Sequence, residues 1–127
     1  MSIDVARRPV LMDALTPVMD LLTEAGIRVT LDITQLNPPG CLLGAPELDF
    51  RFNGGDFTAS YTLVAVVGST DRTRAIVNLS EYISEVLVAL GDRPITGRPV
   101  DVTLADASTV LPGYELRWTT RIRRRNV

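Results

Sequence analysis

The fold is decided by the stretch YELRWTTRI, Tyr114–Ile122, in which apolar and polar side chains alternate. Every second position is occupied by Tyr114, Leu116, Trp118, Thr120 and Ile122, and between them fall Glu115, Arg117, Thr119 and Arg121. A period of two is typical of a strand with one buried face and one solvated face. We therefore predict a strand over this range, with Trp118 packed in a core.

Working outward from this strand, the same analysis predicts four more. They cover Ile27–Thr34, Glu47–Phe52, Phe57–Val67 and Arg98–Ala105. The turn Asn53–Asp56 contains two glycines and joins the second and third of these strands into a hairpin. The third strand ends in Leu63–Val67, which is apolar at every position, so we expect it to lie centrally in the sheet.

Two helices are predicted from apolar residues that recur at three- and four-residue spacing. The first covers Arg8–Ala25, with Gly26 as its C-cap, and we expect one kinked helix at Pro17 rather than two short ones. The second covers Arg72–Leu90. Its predicted buried stripe consists of Ile76, Leu79, Ile83, Val86, Leu87 and Leu90.

The resulting order of elements is α-β-β-β-α-β-β. Because the connections within each β group are short, we predict an α+β fold. It would be a mostly antiparallel sheet of about five strands with two helices on one face, forming a single domain over residues 1–127. The first four residues lack the basic and apolar segments of a secretory signal, and no apolar run is long enough for a membrane helix.

The composition excludes most familiar catalytic arrangements. The chain has no histidine and no lysine, and all 13 basic residues are arginine. This removes the Ser-His-Asp triad, histidine metal ligands and lysine Schiff bases. Carboxylate pairs remain, namely Asp101 with Asp106, Glu47 with Asp49, and Glu81 with Glu85. We interpret them as solvated surface charge, and Cys41 as a reduced thiol that lies in a loop or is partly buried, so we predict no catalytic residue, metal or cofactor.

Charge is divided unevenly along the chain. Eight arginines and fifteen acids up to Leu116 give −7, and five arginines with no acid from Arg117 onward give +5. The C-terminal arginines are candidate interface residues: Arg117, Arg121, Arg123, Arg124 and Arg125. They could form a solvated tail, pair with the acidic body of a neighbouring subunit, or contact nucleic acid phosphates. An isoelectric point near 5.0 disfavours an ordinary DNA-binding domain, whereas an acidic body with a basic edge suits head-to-tail association.

The loop around Pro38 and Pro39 is the second candidate interface. Two prolines and Gly40 make it stiff, and Leu42 and Leu43 follow directly. A stiff loop loses little entropy when it binds a partner, although it could equally fold back on its own domain.

The whole chain resembles the tail terminator proteins of long-tailed phages, particularly the small ones of actinobacterial phages. The resemblance lies in a helix ending at Ala25-Gly26, the Asn-Pro-Pro-Gly loop Asn37–Gly40, a long hairpin, a helix after the Gly-Ser-Thr-Asp turn 68–71, and a final pair of strands. It implies a hexameric ring that stops polymerisation of the tail tube and offers a joining surface to the head connector.

The partners implied by this resemblance are other copies of the chain, the tail tube protein and the head connector protein. Genomic DNA would pass through the ring lumen, and the protein would be assembled in the host cytoplasm and reside in the virion, without a membrane partner. Three alternatives stay open. They are another head–tail connector or minor tail protein, a single-stranded nucleic-acid-binding module that uses Trp118 as a stacking platform together with the terminal arginines, and a small carboxylate enzyme.

Overall fold

The computed structural model describes residues 10–50, 56–69, 71–105 and 109–122. The elements in chain order are helix α1 (Val10–Glu24), strand β1 (Val29–Thr30), a 3-10 turn (Ile33–Gln35), β2 (Gly40–Leu43), β3 (Glu47–Asp49), β4 (Phe57–Val66), helix α2 (Arg72–Leu90), β5 (Thr96–Thr103) and β6 (Val110–Ile122). The predicted α+β fold is confirmed, with six strands instead of about five. Neither helix in the described part of the chain is long and apolar enough to cross a membrane.

The six strands form one sheet with the order β1-β2-β4-β6-β5. β3 pairs with the first half of β4, and β2 pairs with the second half of β4. All pairs are antiparallel except β1 with β2. The predicted hairpin exists as β3 and β4, although most of its turn, residues 51–55, lies outside the described residues. The central position predicted for β4 is confirmed, because it has neighbours on both sides.

Both helices pack on one face of this sheet and bury a shared core. Alternate residues of β4, from Phe57 to Ala65, meet Leu22 of α1 and Val86 of α2 there. Phe57 is fully buried, and removing a side chain of this kind from water stabilises a fold by about 1.5–3 kcal/mol. The Tyr61 hydroxyl donates a hydrogen bond to the Ala14 carbonyl at 2.6 Å, which ties β4 to α1.

Helix α1 is continuous through Pro17, so the alternative of two short helices is wrong. Gly26 has the predicted left-handed conformation, with φ of 79°. The Ile27 amide donates to the Leu22 carbonyl at 2.9 Å, which closes the end of the helix. The predicted start at Arg8 lies outside the described residues.

The strand predicted over Ile27–Thr34 is too long, because only its third and fourth residues form a strand. Only Val29–Thr30 pair with β2, and Leu31 is 43% exposed. The Asp32 side chain accepts a hydrogen bond from the Thr34 amide at 3.0 Å and caps the 3-10 turn. An aspartate that bonds to a nearby amide competes with strand pairing, and the apolar alternation does not reveal this competition.

The segment after this turn was predicted as loop, but Gly40–Leu43 form the inner strand β2. β6 also begins at Val110 instead of Tyr114, because its first residues pair with β5. Leu42 and the 3-10 turn build a small second cluster on the face of the sheet opposite the helices. Its buried members are Leu36, Val66 and Leu111.

Candidate interaction surfaces

The face of the sheet opposite the helices carries polar side chains wherever the second cluster does not cover it. We call this polar part the open face. Its centre is Glu115 on β6, which accepts hydrogen bonds from Nε of Arg98 at 3.0 Å and from Nε of Arg117 at 2.7 Å. Desolvation acts to raise the pKa of Glu115, but the bonds from both arginines hold that pKa below its usual value. Glu115 therefore stays ionised between two cations.

The C-terminal arginines were predicted to lie on an outward face, and Arg117 and Arg121 do so. Both nevertheless have partners within the chain, since Arg121 Nη2 lies 3.2 Å from an Asp56 carboxylate oxygen. None of the three interpretations of this cluster included such internal pairing, and because both side chains are more than half exposed, their interface role stays a prediction. Arg123, Arg124 and Arg125 lie outside the described residues.

The proline loop supplies less accessible surface than predicted. Pro39 is exposed and borders a cleft of about 450 Å³ against α2, whereas Pro38 is half-buried. Leu43 is 1% exposed and packs in the main core, and Leu42 is half-buried in the second cluster. The interface role predicted for Leu43 is therefore wrong, because β2 turns this side chain into the main core, whereas the interface role of the half-buried Leu42 stays a prediction.

Gly40 explains why this loop enters β2 so closely. A Cβ at that position would lie 2.9 Å from the Asn37 carbonyl oxygen, which is backbone and cannot move aside. At Pro38 the loop lies against its own domain, since a Cβ on Gly68 would lie 3.7 Å from the Pro38 Cβ, whereas for the exposed Pro39 the interface role stays a prediction.

Trp118 occupies the core, as predicted. It is 4% exposed, and its ring lies 5.2 Å from that of Tyr61 in a stacked arrangement at 24°. Its indole nitrogen has no hydrogen-bond partner among the described residues. A buried ring cannot serve as a stacking platform for a nucleic acid base, so the structure removes one of the two features on which that alternative depended, the other being the terminal arginines.

Cys41 lies on β2 rather than in a loop, and it is fully buried. Burial raises the pKa of the thiol to about 11, and the thiol donates a weak hydrogen bond to the Tyr82 hydroxyl at 3.7 Å. The same burial raises the pKa of Tyr82. A thiol in this environment is protonated at neutral pH and is a poor nucleophile.

The carboxylate pairs do not converge into a larger acidic group. Within the described ranges, no three His, Cys, Asp or Glu side chains come close enough together to hold a metal ion. Asp106 lies outside those ranges, so the predicted pair of Asp101 and Asp106 cannot be placed.

A surface that the sequence reasoning missed lies beside α2, and we call it the α2–β5 groove. Its volume is about 800 Å³. One wall is the helix flank formed by Ile76, Ile83 and Leu87, of which Ile76 is 58% exposed and Leu87 is 39% exposed. The stripe prediction had placed both of these residues in the core.

The floor of the groove is formed by β5 and β6 where no helix covers them. Tyr114 lies over Gly97 so closely that a Cβ on that glycine would come within 2.5 Å of the tyrosine ring. Pro99 and Leu116 complete the floor, and Ile95 lies in the segment between α2 and β5. Gly97 and Pro99 have no long side chain that could fill the space above the sheet. These two small residues in β5 are the feature of the sequence that could have indicated the groove.

Further exposed apolar residues lie on both helices, and Leu31, Phe50 and Val110 are exposed elsewhere. On α2, Val77 is 54% exposed and Val88 is 82% exposed, and neither lines the groove. At the start of α1, Leu11 is 44% exposed and Met12 is 41% exposed. Exposed apolar side chains that cluster in a concave surface are typical of a binding site for another macromolecule.

No protein-family model matches this sequence, and no curated protein matches it either.

Proposed function

We propose that this chain is a structural subunit that assembles with copies of itself into a ring, and that the ring caps the tail tube of a long-tailed phage. The observation that supports assembly best is the α2–β5 groove, since isolated soluble proteins seldom expose a large concave apolar surface. Assignment to a tail terminator rests on the resemblance in length, element order and the Asn37–Gly40 loop.

In this proposal the mechanism is physical rather than chemical. The ring binds the last layer of the tail tube, covers the growing edge and presents a different surface to the head connector protein. A hexamer is the assembly that the resemblance implies, with genomic DNA passing through its lumen. The protein would then reside at the head–tail junction of the virion.

The alternative within the same class is a different head–tail connector or minor tail protein. It also requires assembly, so the groove supports it equally well. The two are separated by the partner that the ring binds. A terminator stops elongation of tail tubes when it is added to polymerising tube protein, whereas a connector with another position leaves tube length unchanged.

The experiment that tests assembly is measurement of solution mass over a concentration series, followed by negative-stain imaging of the largest species. The expected result is a ring of uniform diameter, formed by the chain alone or in the presence of tail tubes. A chain that stays monomeric under both conditions would contradict the proposal.

The basic C-terminus provides a second test of the same proposal. Replacing Arg121, Arg123, Arg124 and Arg125 with serine is expected to reduce ring yield more than it reduces the melting temperature. Replacement of the same four residues with lysine is the matched control, because it keeps the positive charge. Unchanged ring yield in the serine variant would remove this cluster from the proposed interface.

A further inference from the structure

The α2–β5 groove exists because the two helices do not cover the whole sheet. They pack over β2, β4 and β6, which leaves β5 at the edge of the sheet with its inner face uncovered. The flank of α2 that faces β5 carries Ile76, Ile83 and Leu87, with Ser80 as its polar residue, so the uncovered area has a mainly apolar wall as well as a mainly apolar floor. An occupant must therefore present apolar side chains.

The backbone edge of β5 is a poor site for strand addition. The Leu104 amide donates to the Thr109 carbonyl at 3.0 Å, which extends the β5–β6 ladder by one pair. Because such bonds alternate along an antiparallel pair, Val102 and Val100 direct their backbone groups toward β6, while Asp101, Pro99 and Gly97 direct theirs outward. Pro99 has no N–H, so it interrupts the outward row at its middle. A partner on this side must contact side chains in the groove.

The two halves of the chain carry different net charge. Residues 10–50, which hold α1 and the first three strands, contain six acids and one arginine, a net charge of −5. The described residues of the other half, 71–105 and 109–122, hold α2, β5 and β6 and contain six acids and six arginines, a net charge of zero. Two acidic surfaces repel each other, whereas an acidic surface meets a neutral one without this repulsion, which favours contact between unlike parts of two copies over contact between two α1 surfaces.

We propose that the α2–β5 groove receives the acidic α1 side of a second copy of this chain in a head-to-tail contact. Leu11 and Met12, exposed at the start of α1, supply the apolar side chains that the groove requires. This inference rests on the proposed function, because a contact between unlike surfaces is the kind that closes a ring of more than two subunits. It adds which surface of each copy makes the contact.

The first test uses neighbouring residues of α2 as matched variants. The groove variant carries Ile76→Arg and Leu87→Arg, and the control variant carries Val77→Arg and Val88→Arg, one residue further along and outside the groove. All four positions are exposed in the single chain, so both variants should fold, and thermal melting checks this. Burying unpaired arginines is expected to weaken self-association of the groove variant about 100-fold or more, with little change in the control.

The second test distinguishes contact between unlike sides from contact between like sides. An α1 variant carrying Leu11→Arg and Met12→Arg should also fail to form rings on its own. When it is mixed with the groove variant, one intact contact remains, between the unaltered α1 of the groove variant and the unaltered groove of the α1 variant. The expected product is therefore a 1:1 heterodimer that does not grow further, measured by light scattering.

Each outcome has a defined meaning. Rings formed by the groove variant as readily as by the wild type would overturn this inference and leave the proposed function standing. A mixture of the two variants that contains only monomers would show that unlike sides do not meet, which also overturns it. A wild-type chain that stays monomeric over the whole concentration series, and with tail tubes present, would overturn both the inference and the proposed function.

Discussion

Two adjacent rungs of the β4–β6 ladder meet different surroundings although they share the same backbone. Tyr61 and Trp118 form one rung and stack beneath the helices, whereas Ser60 and Thr119 form the next and lie on the open face. The second pair is joined by a hydrogen bond of 3.1 Å between the two hydroxyl oxygens. One rung is buried aromatic surface, and the other is polar and in contact with water.

This comparison shows how one pair of strands separates stability from surface chemistry. Side chains on the helix-covered face remove apolar area from water, which is the dominant stabilising term in folding. Those on the open face exchange hydrogen bonds with water for bonds with one another, at small net gain. The helix-covered face is therefore expected to determine stability, while residues of the open face can change with little effect on it.

The largest expected effect is at Trp118. Replacing it with alanine leaves a cavity beside Tyr61 and should lower the free energy of unfolding by about 3–5 kcal/mol. Replacing its neighbour Thr119 with alanine should cost about 0.5 kcal/mol or less. Chemical denaturation of both variants measures the difference. Equal losses would contradict the division between the two faces.

Cys41 gives the next effect, through its pKa. The pKa of Cys41 is about 11 in the folded protein, and the usual value is 9.0. The buried neutral thiol therefore makes its full contribution to the stability of the fold below pH 9, and this contribution is lost as pH rises toward 11. At pH 8 the folded thiol should react with an alkylating reagent about 100-fold more slowly than the unfolded thiol. The same reaction in denaturant is the control, and similar rates in the two states would refute burial of the thiol.

Glu115 tests the open face, and its effect should be smaller. Glu115→Gln keeps the size of the side chain but leaves Arg98 and Arg117 without their shared carboxylate, at a cost of about 1 kcal/mol. Because the pKa of Glu115 is lowered in the folded protein, its contribution is present above its usual pKa of 4.5 and is lost as pH falls below it. The stability difference between wild type and variant should therefore shrink in acid. A difference that persists at pH 2 would have another cause.

The smallest expected effect is at the ion pair between Asp56 and Arg121. The Arg121 side chain is 51% exposed, so solvent screens the attraction. Asp56→Asn should change the free energy of unfolding by about 0.5 kcal/mol or less, and added salt should reduce even this change. A loss as large as that expected for Glu115→Gln would show that exposure does not weaken pairs on this face.

The sequence predicted most of the elements but not their full packing. α2 begins and ends where predicted, because Asp71 caps its start and Gly91 adopts a positive φ of 83° at its end. The strand over Ile27–Thr34 was overpredicted, since alternation cannot show that Asp32 bonds to a nearby amide. β2 was missed because Gly40–Leu43 is too short and too apolar to show a period.

The surroundings of the candidate interface residues were predicted less well than the fold. An apolar run such as Leu42-Leu43 has the same sequence whether it faces a partner or a core. Here the pairing of β2 with β4 determines which core each leucine faces. Likewise, the charges of Arg117 and Arg121 are evident from the sequence, but their partners Glu115 and Asp56 depend on how the strands fold.

By itself, the sequence determined the α+β class, the limits of α2, the alternation that buries Trp118, and the division into acidic and basic parts, because these depend on residue type and local spacing. Only the tertiary structure decided which rung of β6 meets the helices and which apolar residues of α2 remain in water. Periodicity gives the direction of each side chain from its own backbone, whereas exposure depends on whether another element lies there. No helix of the described chain lies above β5, so part of the predicted buried stripe of α2 becomes the wall of a groove.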